Sequence, residues 1–192
     1  MNKKEIFTIP NILSLFRLIL IPVYVYLYMN AQKATDYWIA AGVLAVSALT
    51  DMADGIIARK FNMISKLGKI LDPIADKATQ GILMICLGLK YRNMWMLFAF
   101  FVIKEGFMAV MGIVNLRHGK MLNGAKLSGK VCTTVLFICM ILLILIPDMD
   151  KSAVNSIIII SAFFMLISLI SYLVAYFTRS NELVSIGKEQ AE

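Results

Sequence analysis

From residue 153 to residue 177 the chain carries no charged side chain. Such a run exceeds the ~20 residues that carry a helix across ~30 Å of hydrocarbon. Similar apolar runs recur, and their lengths predict six spans, at about 11–29, 37–59, 68–89, 94–116, 127–146 and 153–177. The chain is 60% hydrophobic and 16% charged, whereas a soluble domain carries roughly a quarter charged residues. That excess of apolar surface needs lipid rather than a larger core. The expected fold class is all-α: a polytopic membrane protein with six transmembrane helices. Residues 1–179 are expected to form one six-helix transmembrane domain, and residues 180–192 a polar, disordered tail.

Thr8 and Asn11 bracket Pro10, a helix-start arrangement with proline near the first turn. Lys3 and Lys4 before an apolar run imitate a secretory leader. The run is too long for one, is interrupted by Arg17 and Pro22, and lacks a small-x-small cleavage site, so a retained first helix is expected.

The net charge of +7 matters through its placement. Twelve basic residues lie in the N-terminus (Lys3, Lys4), the 59–69 segment (Arg59, Lys60, Lys66, Lys69), the 117–130 segment (Arg117, Lys120, Lys126, Lys130) and the tail (Arg179, Lys188). The intervening connections hold four, Lys33, Lys90, Arg92 and Lys151. The positive-inside rule then places both termini in the cytoplasm, in a multi-pass protein of the cell membrane. Tyr26, Tyr28, Tyr37, Trp38, Tyr91 and Trp95 cluster at the expected outer ends, where amphipathic rings favour the interface. The basic charge follows topology and lipid attraction, and no nucleic-acid partner is expected. Cys86, Cys132 and Cys139 sit in apolar stretches without metal-ligand spacing and read as small buried residues. His118 has no Cys or His near it and receives no ligand role.

Carboxylates inside spans are expensive and usually functional. Here Asp51 and Asp54 lie three residues apart, and Asp72 and Asp76 four apart, so each pair occupies one helix face. Residues 37–50 supply about 21 Å of nearly uninterrupted apolar helix before Asp51, which puts that pair in the cytoplasmic half of its span. The chain turns through the basic segment 60–67 and re-enters, bringing Asp72 and Asp76 to a similar depth. Four like charges at that separation need compensation. Oxygen-only donors favour Mg²⁺, Mn²⁺ or Ca²⁺ over zinc, and four carboxylates suffice for two metals. The competing explanation is a set of intramembrane salt bridges to Arg17, Arg59, Lys77 or Lys104. Gly55, Ala58 and Gly68 flank the acids where larger side chains would block a bulky group, and close helix packing would use them equally well.

This constellation resembles the CDP-alcohol phosphotransferase family, whose signature is D-x2-D-G-x2-A-R-x8-G-x3-D-x3-D. Asp51, Asp54, Gly55, Ala58, Arg59, Gly68, Asp72 and Asp76 occupy every fixed position. The opening Pro10-Asn11-Ile-Leu-Ser14-Leu-Phe-Arg17 and the six-span count extend the likeness over nearly the whole chain, and mark Asn11, Ser14 and Arg17 as site-lining candidates. The resemblance implies a homodimer with its site open to the cytoplasmic leaflet and CDP-diacylglycerol as donor. By it, Asp51, Asp54 and Asp72 bind two divalent ions, Mg²⁺ or Mn²⁺, while Asp76 touches the second and acts as general base. Gly55, Ala58, Arg59 and Gly68, beside Asp51 and Asp72, would line the CDP-lipid site. CMP leaves as the alcohol oxygen takes over the phosphatidyl group. No His, Cys or Ser nucleophile is evident, which favours direct displacement.

The acceptor is read from the second half of the chain. The family's phosphatidylglycerophosphate synthases carry Arg-Glu-[Ile/Phe] in span four, a further Arg eight residues on, and Gly-Lys-x-Lys-Thr before span five. This chain has Lys104-Glu105-Gly106, Gly112, and Gly129-Lys130-Val131-Cys132-Thr133. Two of those cations are missing and one is changed. With Arg117-His118-Gly119-Lys120, the pattern looks closer to the family's cardiolipin synthases. Phosphatidylglycerol is therefore the preferred acceptor and glycerol 3-phosphate the alternative, with Lys104, Lys130 and Arg117 as candidate acceptor or phosphate contacts. Two rivals come from other classes: a divalent-cation transporter, and a lipid-binding protein without activity. A transporter would distribute polar residues along both leaflets, whereas spans five and six carry almost none.

Overall fold

The computed structural model describes residues 8–61, 68–117 and 126–189, with the side chains at 52, 54, 55, 58, 59, 69, 70, 113–117, 126, 127 and 176–189 excepted. The described residues form six helices and no strand: α1 (Ile9–Met29), α2 (Ala34–Lys60), α3 (Gly68–Lys90), α4 (Met94–Arg117), α5 (Lys126–Leu145) and α6 (Lys151–Glu189). The boundaries expected for the first five lie within three residues of these. The sixth differs at its end. Helix α6 continues past residue 177 to Glu189, so 180–189 are helical rather than an unstructured tail. Polarity alone does not stop a helix, and no Gly or Pro interrupts residues 178–186.

Among the described residues, four helices are long and apolar enough to cross a membrane: Ile9–Met29, Met94–Gly112, Ser128–Leu145 and Lys151–Ala175. Helices α2 and α3 have 27 and 23 residues, ample length, but their acids and bases lower their hydropathy. Large apolar side chains such as Leu49, Ile103 and Ile159 are each more than 60% exposed, a surface suited to lipid.

The chain divides into two compact units. The first comprises Met1–Met94 with Met140–Met149. Within it α1 packs against both α2 and α3. Proline stands in the first turn of α1, after an extended Thr8 that makes no side-chain cap bond. The buried residues of α1 are Pro10, Asn11, Ser14, Arg17, Tyr24 and Tyr28, whose spacing describes one helix face. That face is polar at its start and aromatic at its end. Asn30 closes α1, its side-chain amide donating to Tyr26 O at 2.8 Å. At the start of α2, Asp36 Oδ2 accepts the backbone N–H groups of Gln32 and Lys33 at 2.9 and 3.0 Å. Those donors hold the Asp36 carboxyl below the usual carboxylate range.

The rings of Tyr24, Tyr28 and Tyr37 follow one another at centroid distances of 5.7 and 5.5 Å. Lys90 Nζ stands 4.7 Å from the Tyr37 ring centroid and 5.7 Å from that of Tyr91. Tyr91 Oη donates to Pro147 O, and Trp38 Nε1 to Leu145 O. The aromatic cluster expected at the outer ends is thus partly internal glue: Tyr28 is buried, whereas Tyr26 and Trp38 are exposed.

The second unit comprises Trp95–Cys139 with Asp150–Glu192. Helix α6 buries Val154, Ile158, Ser161, Met165 and Ser168, alternating steps of four and three. Helix α5 approaches α6 closely near its start, where a Cβ placed on Gly129 would stand 3.1 Å from Tyr172 Oη. Cys86, Cys132 and Cys139 are free and buried, as expected.

Candidate active site

Three of the four acids meet one face of α1. Arg17 Nη1 pairs with Asp51 Oδ1 on α2 and with Asp76 Oδ1 on α3. One turn earlier, Ser14 Oγ lies within hydrogen-bond reach of Asp72 Oδ1 on α3 and of Pro10 O, the latter at 3.0 Å. Its single proton donates to one of them at a time. The i,i+3 spacing of Ser14 and Arg17 matches the i,i+4 spacing of Asp72 and Asp76, so the two helices address each other in register.

Exposure is asymmetric across these contacts. The Arg17 side chain is 3% exposed, whereas those of Asp51 and Asp76 are 44% and 41% exposed. A buried cation therefore underlies acids that are open on their other side. Asn11, also buried, extends the polar stripe of α1 by one more turn. The salt-bridge alternative raised from sequence is thus realised at Arg17. It does not exclude a metal, because an ion pair and a cation site draw on the same carboxylates.

Asp54, Gly55, Ala58 and Arg59 follow Asp51 on α2 with helical backbone, and their side-chain surroundings lie outside the described residues. Gly68 opens α3 and is buried. Among the described residues no three acidic, His or Cys side chains stand together as a ready-made metal site. The donor chemistry fits a hard divalent ion all the same. The donors are all carboxylates, and two of them, from different helices, converge on a single nitrogen.

Beneath the cluster, a cavity of about 10 Å³ is lined by Leu20, Tyr24, Leu44, Ser47, Thr79 and Ile82, among others. Ser47 precedes Asp51 by one turn and Thr79 follows Asp76 by three residues, so the cavity adjoins the acids of α2 and α3. It has room for about one water and none for a lipid chain.

The three candidate acceptor contacts belong to the second unit. Lys104 is buried on α4, and its Nζ donates to Glu105 Oε1 at 2.7 Å. This charge is already matched, a pairing that adjacent positions on a helix seldom make and that its sequence spacing did not suggest. Lys130 is exposed in the first turns of α5. Arg117 ends α4, and its side chain, like His118 and Lys120, lies outside the described residues.

A model of the family described as CDP-alcohol phosphatidyltransferase matches residues 7–177. The chain belongs to the CDP-alcohol phosphatidyltransferase family. The match runs from just before α1 into α6 and includes the acids, Ser14 and Arg17. Among curated members, a Streptomyces coelicolor protein named cardiolipin synthase (CMP-forming) is 37% identical over 146 residues, 73% of this chain and 66% of that protein. A Schizosaccharomyces pombe fusion of a cardiolipin synthase (CMP-forming) with a mitochondrial hydrolase is 36% identical over 60% of this chain and 19% of its own length. An Escherichia coli protein named CDP-diacylglycerol–glycerol-3-phosphate 3-phosphatidyltransferase is 38% identical over 89 residues, 46% of this chain and 48% of that protein. The chain thus spans just under two thirds of the first relative and less of the other two.

Proposed function

We propose that this family member transfers a phosphatidyl group from CDP-diacylglycerol to a glycerol-type alcohol with release of CMP, in anionic phospholipid synthesis. The observation that carries the reading is the convergence of Asp51 and Asp76 on Arg17, with Asp72 one turn away at Ser14. Together with the family match, it supports a common site for Asp51, Asp72 and Asp76 beside α1.

Asp51, Asp54, Asp72 and Asp76 would hold two divalent ions, Mg²⁺ or Mn²⁺. When bound, these ions supply positive charge to the diphosphate and to departing CMP. Asp76 accepts the proton from the acceptor hydroxyl, placed one turn beyond Asp72 to face the incoming alcohol. The alcohol oxygen bonds to the phosphorus of the phosphatidyl group as the bond from that phosphorus to the CMP oxygen breaks. Gly55, Ala58, Arg59 and Gly68 border the space for the CDP group. In this reading all six helices span the cell membrane, both termini and the site face the cytoplasm, and the protein works as a homodimer.

Phosphatidylglycerol is the acceptor favoured. Lys104 is paired with Glu105, and Gly112 and Cys132 stand where the glycerol 3-phosphate pattern puts cations. The relative named cardiolipin synthase also aligns with more of this chain than the one named for glycerol 3-phosphate. Glycerol 3-phosphate is the second reading, supported by the Escherichia coli relative. The test supplies purified protein with CDP-diacylglycerol and Mg²⁺, offers acceptors singly, and measures CMP. No CMP with any alcohol would remove the enzymatic reading.

A further inference from the structure

Asp51 and Asp76 both close on one atom, Arg17 Nη1, and each does so through Oδ1. One nitrogen serving carboxylates from two helices marks the point where the fold concentrates negative charge. A fixed cation already answers it. The guanidinium reaches that point from the buried side, while the acids stay more than two-fifths exposed on the other. A small cation arriving from the open side is drawn to the same oxygens.

We propose that Arg17 is a built-in competitor for the metal, holding Asp51 and Asp76 until a divalent ion takes their oxygens and displaces the guanidinium. The inference rests on the metal reading above and adds to it a residue of α1 that sets metal affinity. Three properties of the residue support it. Arginine does not deprotonate in proteins, so its charge must move away and cannot be neutralised in place. A unit charge within a few ångströms of a divalent ion repels it strongly when half-buried. The side chain is long and has several rotatable bonds, so Nη1 can move off the acids without displacing the backbone of α1. The exchange couples α1 to metal loading, because the ion pairs that tie Arg17 of α1 to α2 and α3 are the ones lost.

The test uses the full chain in detergent at pH 8, with Mn²⁺ alone as the probe. Free Mn²⁺ is titrated by electron paramagnetic resonance, and melting is followed in EDTA and in excess Mn²⁺. Arg17→Gln is expected to bind Mn²⁺ at least about tenfold more tightly than the unaltered chain. It should melt lower in EDTA and gain more from Mn²⁺. Binding by Arg17→Gln where the unaltered chain binds only weakly supports the proposal most directly. Equal or weaker binding by Arg17→Gln overturns it, and makes Arg17 a support for the carboxylates. Mn²⁺ bound by neither protein overturns the metal reading and the proposal together. If Arg17→Gln does not fold even with Mn²⁺, Arg17→Lys replaces it, since its shorter reach loosens both pairings. An affinity about threefold tighter is then expected, and an unchanged or weaker one overturns the proposal.

Discussion

Arg17 and Asp76 stand 59 residues apart in the chain and meet through a charged hydrogen bond between α1 and α3. The same guanidinium nitrogen pairs with Asp51, so a single side chain links three helices at the level of the acids. The exposure of the acids weakens this pairing relative to a fully buried ion pair. What it provides is position: carboxylates from two helices held toward one point and open on one side.

Asp76→Asn and Asp51→Asn are expected to abolish turnover while leaving the fold intact. Asparagine keeps an oxygen that can accept from Arg17, so the three-helix link survives. Removing a general base costs about 100-fold or more. Asp51→Asn should weaken metal and CDP-lipid binding as well, whereas Asp76→Asn should spare more of it. Equilibrium binding of a CDP-lipid analogue, measured beside CMP release, separates the two. Equal loss of affinity would make Asp76 chiefly a ligand.

Chelation is expected to stop CMP release, and added Mg²⁺ or Mn²⁺ to restore it. Two carboxylates, Asp51 and Asp76, meet here on one guanidinium nitrogen. A doubly charged phosphate group entering such a site requires positive charge. Full activity in excess EDTA would remove the metal assignment.

Ser14→Ala is expected to act through Asp72. The change removes a hydroxyl buried against that carboxylate and costs about 1 kcal/mol of its positioning. The consequence is a metal requirement shifted upward by severalfold, with the maximal rate changing less. A metal titration of CMP release reads both. An unchanged metal requirement would leave Ser14 a backbone partner of Pro10 alone.

The acids were legible in sequence because helical period converts spacing into direction: three and four residues apart means one face. Helix limits were legible because the lipid core selects for length and apolarity. Arg17 was visible as one of four cations able to pair with the acids and, through the family resemblance, as a site-lining candidate. Choosing among them takes the packing of α1 against α2 and α3, which no local pattern encodes. The Lys104–Glu105 pair was missed because neighbours on a helix ordinarily point apart. The run of α6 to Glu189 was missed because polar composition was taken for a stop signal.

Gly129→Ala tests the close approach of α5 and α6. The added methyl would stand 3.1 Å from Tyr172 Oη, so the ring must shift by a few tenths of an ångström. Overpacking of this kind costs about 1 kcal/mol or more, while alanine gains ~0.5–1 kcal/mol over glycine within a helix. A small net loss of melting temperature is expected. With Tyr172→Phe, which removes the nearest atom, the same change should become stabilising. Loss of the same size in both backgrounds would place the cost elsewhere.

Phosphatidylglycerol is expected to support CMP release better than glycerol 3-phosphate. A phosphate monoester carries nearly two charges, and in a membrane-boundary site it needs several fixed cations to offset desolvation. Lys104 is buried and matched by Glu105, so using it on a substrate phosphate means breaking a 2.7 Å pair. Lys130 is exposed and, being flexible, holds a phosphate less firmly than a fixed arginine fork. Phosphatidylglycerol brings a neutral diol and one diester charge, and arrives already in the leaflet. Direct competition at equal saturation, with products weighed by mass spectrometry, decides between them. Phosphatidylglycerophosphate as the dominant product would reverse the acceptor and leave the family and the acid site standing. Lys104→Met adds a second check: it removes the pair with Glu105, so it should lower stability while changing the ratio of the two products little. A selective collapse of glycerol 3-phosphate use in that variant would show that Lys104 leaves Glu105 to bind phosphate.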